Sequence, residues 1–226
     1  MGFGNLLALS QVCGFVLLLL LSLFIVPPMC TYSQAFEGKC LLFASGHYDD
    51  NVLNTSISFN IDSWGAPGFC TYTIFMGVAQ IIMSFVQIVR LSIHLANDTD
   101  SSFIGVFMTT LSTLLFSFMM LICCLVVTIG FMAWCRSVTT HSFVSSCEMV
   151  GYSNIWSHVD NIDATKFSIQ FGITQFGLWF SLIVWFVEMI FVSVKLFRYH
   201  QQEDIMRSLM RERQRLLGQY QQPEFM

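Results

Sequence analysis

Residues 103–134 read FIGVFMTTLSTLLFSFMMLICCLVVTIGFMAW, a run without a single Asp, Glu, Lys, Arg or His. A helix needs about 20 mostly apolar residues to cross the hydrocarbon of a bilayer, and this run exceeds that length. Immediately upstream, 72–95 is a second apolar run, separated from the first only by the polar stretch 96–102, so the two predict a tight helical hairpin. Working outward, 6–26 and 167–197 meet the same requirement. Four spans close a bundle. The first is expected to end at Pro27-Pro28, because proline removes the backbone donor that would continue a helix.

Composition agrees with this reading. Of 226 residues, 55% are hydrophobic and only 11% charged, with 23 Phe and a mean hydropathy of +0.66. Water-soluble domains hold about a quarter of their residues as charged side chains, so a soluble enzyme is excluded. A net charge of −4 supplies no long-range attraction to phosphate backbones, which excludes nucleic acid as a partner.

Orientation follows from Lys and Arg, which accumulate on cytoplasmic flanks. The two long connections carry only Lys39, Arg136 and Lys166, against Glu37, Asp49, Asp50, Asp62, Glu148, Asp160 and Asp163. Arg90, Lys195, Arg198, Arg207, Arg211, Arg213 and Arg215 all fall on the opposite side. The chain therefore divides into a cytoplasmic N-terminus and first span (1–30), a first extracellular loop (31–71), the second and third spans with their short cytoplasmic loop (72–134), a second extracellular loop (135–166), a fourth span (167–197) and a cytoplasmic tail (198–226). Both termini are placed inside, with the plasma membrane as the expected location. A signal-peptide reading of the first span is disfavoured by its long apolar run and the lack of a basic start.

Eight cysteines are distributed by compartment. Cys13, Cys123 and Cys124 lie in spans and Cys30 at the outer boundary, while Cys40, Cys70, Cys135 and Cys147 belong to the outer loops, which face an oxidising space. Four cysteines allow three connectivities. Cys40 with Cys70 and Cys135 with Cys147 is favoured, since each bridge then closes its own loop; a bridge between the two loops is the alternative. In the first loop, 56–61 alternates like a strand with one buried face, and 40–43 is a candidate partner for it. Asn54-Thr55-Ser56 is a glycosylation acceptor on the outer side, whereas Asn97-Asp98-Thr99 fits the pattern on the inner side and is expected to be silent. The expected fold is thus all-α transmembrane, a four-helix bundle under a small disulfide-tied extracellular cap that admits β-strands in a claudin-like layout.

Chemistry inside a membrane requires ionisable groups there, and the inventory is short. Glu188 is the one acid at depth in the fourth span. It reads either as a carboxyl hydrogen-bonded to a neighbouring helix or simply protonated, or as a contact for a partner. Arg90 and His94, one turn apart at the inner end of the second span, read as side chains snorkelling toward lipid phosphate. Gln80, Ser84 and Gln87 lie near one face of the second span, and Gln170 and Gln175 in the fourth, where such groups hydrogen-bond between helices. The sequence contains no HExxH, CxxC, GxSxG or P-loop pattern, and its five histidines show no zinc-ligand spacing. No cofactor, metal or small-molecule substrate is implied, and no enzymatic activity is expected.

The tail is more informative. From 203 to 217 the apolar residues Ile205, Met206, Leu209, Met210, Leu216 and Leu217 recur at helical spacing, while Arg207, Arg211 and Arg215 repeat every four residues and Glu203 is placed to pair with Arg207. This is an amphipathic helix suited to anionic lipid or a protein partner.

Several stretches resemble the transmembrane protein 179 family: Phe36-Glu37-Gly38-Lys39-Cys40-Leu41-Leu42-Phe43, Trp64-Gly65-Ala66-Pro67 before Cys70, Trp134-Cys135, Ser146-Cys147-Glu148, Gln175-Phe176-Gly177-Leu178-Trp179, and Gln202-Glu203-Asp204 with Ser208-Leu209. They occur in order and relative to the same spans. The Cys-Cys-Gly loop motif of tetraspanins and the Gly-Leu-Trp first-loop motif of claudins are absent, and Gly177-Leu178-Trp179 lies in a span. The resemblance implies a multi-pass membrane protein without an established catalytic activity. The Arg207 to Arg215 stripe is more basic than that family's tail, so a partner reached through it is expected to differ. The leading functional expectation is an accessory subunit that binds a larger channel or receptor laterally. A junction or adhesion tetraspan and a small transporter or channel are the alternatives.

Overall fold

The computed structural model describes residues 3–49, 58–97, 103–139 and 167–220. Five helices and two strands follow in the order α1 (Phe3–Ser22), α2 (Val26–Ala35), β1 (Cys40–Asp49), β2 (Ser58–Gly65), α3 (Pro67–Asn97), α4 (Phe103–Thr139) and α5 (Phe167–Tyr220). α1 and α2 together form one crossing, and four helices are long and apolar enough to span a membrane. They pack as a closed ring in which α1 touches α3 and α5, and α4 touches α3 and α5. The outward faces carry Phe75, Ile82, Phe85, Leu114, Phe118 and Ile183, all exposed in the isolated chain, as a lipid-facing surface requires.

The first crossing does not stop at the prolines. It breaks one turn earlier, where Leu23, Phe24 and Ile25 donate to the carbonyls three residues back at 3.0–3.1 Å. Pro27 and Pro28 lack the N–H groups that would bond the carbonyls of Leu23 and Phe24, so the helix cannot propagate through this turn. The same prolines then sit in the first turn of α2, where their missing donors are harmless and their fixed φ favours the helix. Ile25, fully buried at the break, wedges between Gly77 of α3 and Gly177 of α5. A Cβ at Gly77 would approach Ile25 Cγ2 to 3.1 Å, and one at Gly177 would approach Ile25 Cγ1 to 2.9 Å.

At the other end of this crossing, β1 and β2 form an antiparallel hairpin with Asp49 opposite Ser58 and Gly46 opposite Ile61. Sequence alternation pairs 56–61 with 40–43, and the structure corrects that register. In an antiparallel hairpin the residues beside the connection pair with each other. Ser58 to Ile61 therefore face Asp49 back to Gly46, and Cys40 meets Gly65. Between Cys40 and Ser45 the ladder is interrupted, Phe43 adopts φ 64°, and Leu41, Leu42 and Ala44 turn into the core against α4. Residues 56 and 57 lie outside the described residues.

A lone two-stranded hairpin is marginal in water, so it needs anchors. The disulfide Cys40–Cys70 ties the start of β1 to the first turn of α3, with Cα atoms 5.9 Å apart. The Tyr32 hydroxyl accepts from the Leu41 N–H at 2.6 Å and donates to the Lys39 carbonyl at 3.3 Å. Ser137 of α4 accepts from the Gly46 N–H at 3.1 Å and donates back to the Gly46 carbonyl at 3.3 Å. Beneath the hairpin Tyr32, Phe36, Phe131, Trp134, Phe167 and Phe171 form an aromatic cluster joining α2, α4 and α5.

The tail helix is not a separate element. α5 runs unbroken for 54 residues, about 80 Å at 1.5 Å per residue, and so extends well past the bundle.

Candidate functional site

The polar residues of the spans converge on the bundle interior. Gln80, on α3, is fully buried. Its Nε2 donates to the Leu18 carbonyl of α1 at 2.8 Å and to Ser181 Oγ of α5 at 3.0 Å, while its Oε1 accepts from Trp185 Nε1 at 3.4 Å. One amide thus fastens three helices. This is the structural role that its position on the inner face predicts.

Glu188 lies on the same face of α5, one turn beyond Trp185, and behaves differently. It is 0% exposed, yet neither carboxyl oxygen has a hydrogen-bond partner. The expectation of a carboxyl bonded to a neighbouring helix is therefore not met. What Glu188 touches is the backbone of α1 at Gly14, where a Cβ would overlap its Oε1. It forms the floor of a groove of about 500 Å³ between α1 and α5, walled by Leu9, Ser10, Cys13 and Leu17 on one side and Ile183 and Val187 on the other. Leu9, Leu17 and Ile183 are exposed on the outer surface of the bundle, so the groove faces sideways. The Ser10 hydroxyl donates to the Leu7 carbonyl at 3.0 Å.

The sequence missed Gly14 and the small residues Ser10 and Cys13 beside it. Their signal is a Ser-x-x-Cys-Gly step interrupting a run of leucines, which lets α5 approach α1 closely at Gly14. Arg90 lies at the inner end of α3, where its Nη1 donates to Thr109 Oγ1 of α4 at 2.6 Å.

Cys123 and Cys124 are buried packing residues, and Cys123 Sγ donates weakly to Thr73 Oγ1 at 3.9 Å. Cys40 and Cys70 pair as favoured. Cys135 is disulfide-bonded too, while its expected partner Cys147 and the acceptor Asn54 lie outside the described residues. In the tail Ile205, Met206, Leu209 and Met210 are each about 60% exposed, and Arg207, Arg211 and Arg215 are exposed around them. The side chain of Glu203, the expected partner of Arg207, lies outside the described residues; His200 and Asp204 pair at 3.7 Å. Among the described residues no group of three His, Cys, Asp or Glu is placed to hold a metal ion.

Four membrane-crossing helices under a disulfide-tied antiparallel hairpin define a claudin-like four-span membrane protein. A sequence model of the Transmembrane protein 179/179B Claudin domain matches residues 7–217, and the chain belongs to that family. No solved structure matches it.

Proposed function

We propose that this protein is a non-enzymatic accessory subunit, resident in the plasma membrane with both termini in the cytoplasm, that binds a larger channel or receptor laterally and modulates its trafficking or gating. The observation that carries the reading is Glu188: a fully buried carboxyl without a hydrogen-bond partner, at the floor of a sideways-facing groove. An ionisable group inside hydrocarbon is costly and is retained where something meets it. Acyl chains offer no donor, whereas a transmembrane helix bearing a Lys, Arg, Asn or His side chain does. The small residues Ser10 and Cys13 on the groove wall leave room for such a helix to pack closely. The exposed apolar row and arginines of the tail supply a second contact, with lipid or with the cytoplasmic part of the same partner.

The test is purification of tagged protein from native tissue in mild detergent, with mass spectrometry and native sizing, beside a Glu188→Met variant. One channel or receptor should co-purify near stoichiometry with the natural chain and fall away from the variant. A chain that emerges alone or only as a homo-oligomer overturns the reading in favour of adhesion or transport.

A further inference from the structure

A second cleft lies at the end of the bundle that carries both chain termini. Its walls come from all four crossings: Gln11 of α1, Gln87, Arg90 and His94 of α3, Thr109 of α4, and Lys195 of α5. Lys195 is seven residues beyond Glu188, about 10 Å along α5, which separates this cleft from the sideways groove.

Among the described residues its lining carries cations and no acid. Arg90 and Lys195 line it together, one from α3 and one from α5. Among the described residues neither makes an ion pair. Arg90 spends one donor on Thr109, and among the described residues its other N–H groups have no hydrogen-bond partner. Gln11 is 2% exposed, and its Oε1 has no hydrogen-bond partner. Exchanging the amide's oxygen and nitrogen by rotation about the terminal bond puts an NH2 group at this position, the orientation in which Gln11 would meet an anion. Two like charges and an unsatisfied amide turned into one half-buried space are each unfavourable alone. A single anion with several oxygens relieves all three.

The chemistry selects the anion. A planar guanidinium fork, a point-charge ammonium and an amide donor approaching from different helices match a tetrahedral oxyanion, and a phosphomonoester carries nearly two negative charges to set against two cations. The enclosed space is about 20 Å³, enough for one water-sized atom. We propose that this cleft binds a phosphate group, with one oxygen seated between Gln11, Arg90 and Lys195 and the remaining oxygens at the mouth. The group comes either from the headgroup of a phosphomonoester lipid in the adjoining leaflet or from a soluble phosphate. The site does not depend on the accessory-subunit reading, because it is complete within one chain.

Native mass spectrometry of the full chain released from detergent tests the proposal, using phosphatidylinositol 4-phosphate as probe, phosphatidylcholine as control and inorganic phosphate as competitor. The natural chain should take up one phosphatidylinositol 4-phosphate in preference to phosphatidylcholine. Lys195→Gln should weaken that uptake on the order of tenfold. Arg136→Gln removes one positive charge at the opposite end of the bundle and should leave uptake within about twofold. Displacement by millimolar inorganic phosphate identifies a soluble ligand, and resistance to it identifies the lipid. Lys195 makes no hydrogen bond among the described residues, so its replacement leaves the helix contacts in place; Gln11→Leu is a second, uncharged probe, expected to weaken uptake severalfold. If Lys195→Gln and Gln11→Leu both bind as the natural chain does, or if Arg136→Gln weakens uptake as much as Lys195→Gln, the cleft is not the site.

Discussion

Replacing Glu188 by Met should stabilise the isolated protein. The carboxyl is buried without a hydrogen bond, and a buried polar group left unsatisfied costs about 1–3 kcal/mol, more when charged. Methionine has a similar length, brings no polar atom, and fills the same contact with the α1 backbone at Gly14. The expected gain is therefore about 1–3 kcal/mol. Gln80→Leu makes the opposite case. It deletes three hydrogen bonds between helices, and at about 0.6 kcal/mol for each such bond in a membrane the loss is about 2 kcal/mol. Two polar residues buried to the same extent should thus differ in the sign of their effect, by about 3–5 kcal/mol in total. The assay is reversible unfolding in mixed micelles at increasing mole fraction of sodium dodecyl sulfate, followed by tryptophan fluorescence. A Glu188→Met chain less stable than the natural one by more than about 1 kcal/mol would refute the reasoning, since it would mean that the carboxyl is satisfied within the fold. So would a neutral Gln80→Leu.

Other outcomes follow from the same geometry. The Cys40–Cys70 bridge closes a loop with a sequence separation of 30, for which chain entropy gives about 3.7 kcal/mol, so a Cys40→Ala/Cys70→Ala chain should lose up to about 500-fold of amide-exchange protection in the hairpin while α3 and α4 keep theirs. Gly177→Ala drives a methyl against Ile25 and Phe24 and should cost about 1–3 kcal/mol in the same micelle titration, whereas Gly172→Ala, with nothing within 4 Å, should not destabilise. Removing Asn54 should abolish a glycosidase-sensitive shift on a gel and removing Asn97 should not; tags at either terminus should be inaccessible to antibody on intact cells. A glycan on Asn97 would invert the proposed orientation.

The architecture was legible because span length and loop charge are local properties of the chain. Residues 103–134 announce a membrane helix without reference to any other segment, and the fourfold repeat of such runs implies a bundle. The same is true of the strand alternation and of the first disulfide, whose two cysteines flank a single connection. The inward face of Gln80, Ser84 and Gln87 was legible too, since helical period places them together on α3.

Where prediction and structure diverge, the cause is local helix geometry in one place and contacts between distant segments in the others. Pro27-Pro28 marks a discontinuity, but only helix geometry shows that the missing donors act on carbonyls four residues earlier, so that the break precedes the prolines and a new helix begins on them. The strand register follows from hairpin closure, which sets 46–49 opposite 58–61, while Leu41 and Leu42 leave the ladder to enter the core. Most of the candidate site was beyond sequence reasoning for the same reason. Glu188 is visible as an acid in an apolar run. That it meets Gly14 of α1 and no donor, and that Arg90 shares a cleft with Lys195 and Gln11, depends on which helix faces which. The sequence by itself determined how many times the chain crosses the membrane, because apolar length is set residue by residue. Tertiary structure alone decided which buried polar groups are satisfied and which are left open to a ligand, because satisfaction depends on neighbours that the chain brings together only when the bundle closes.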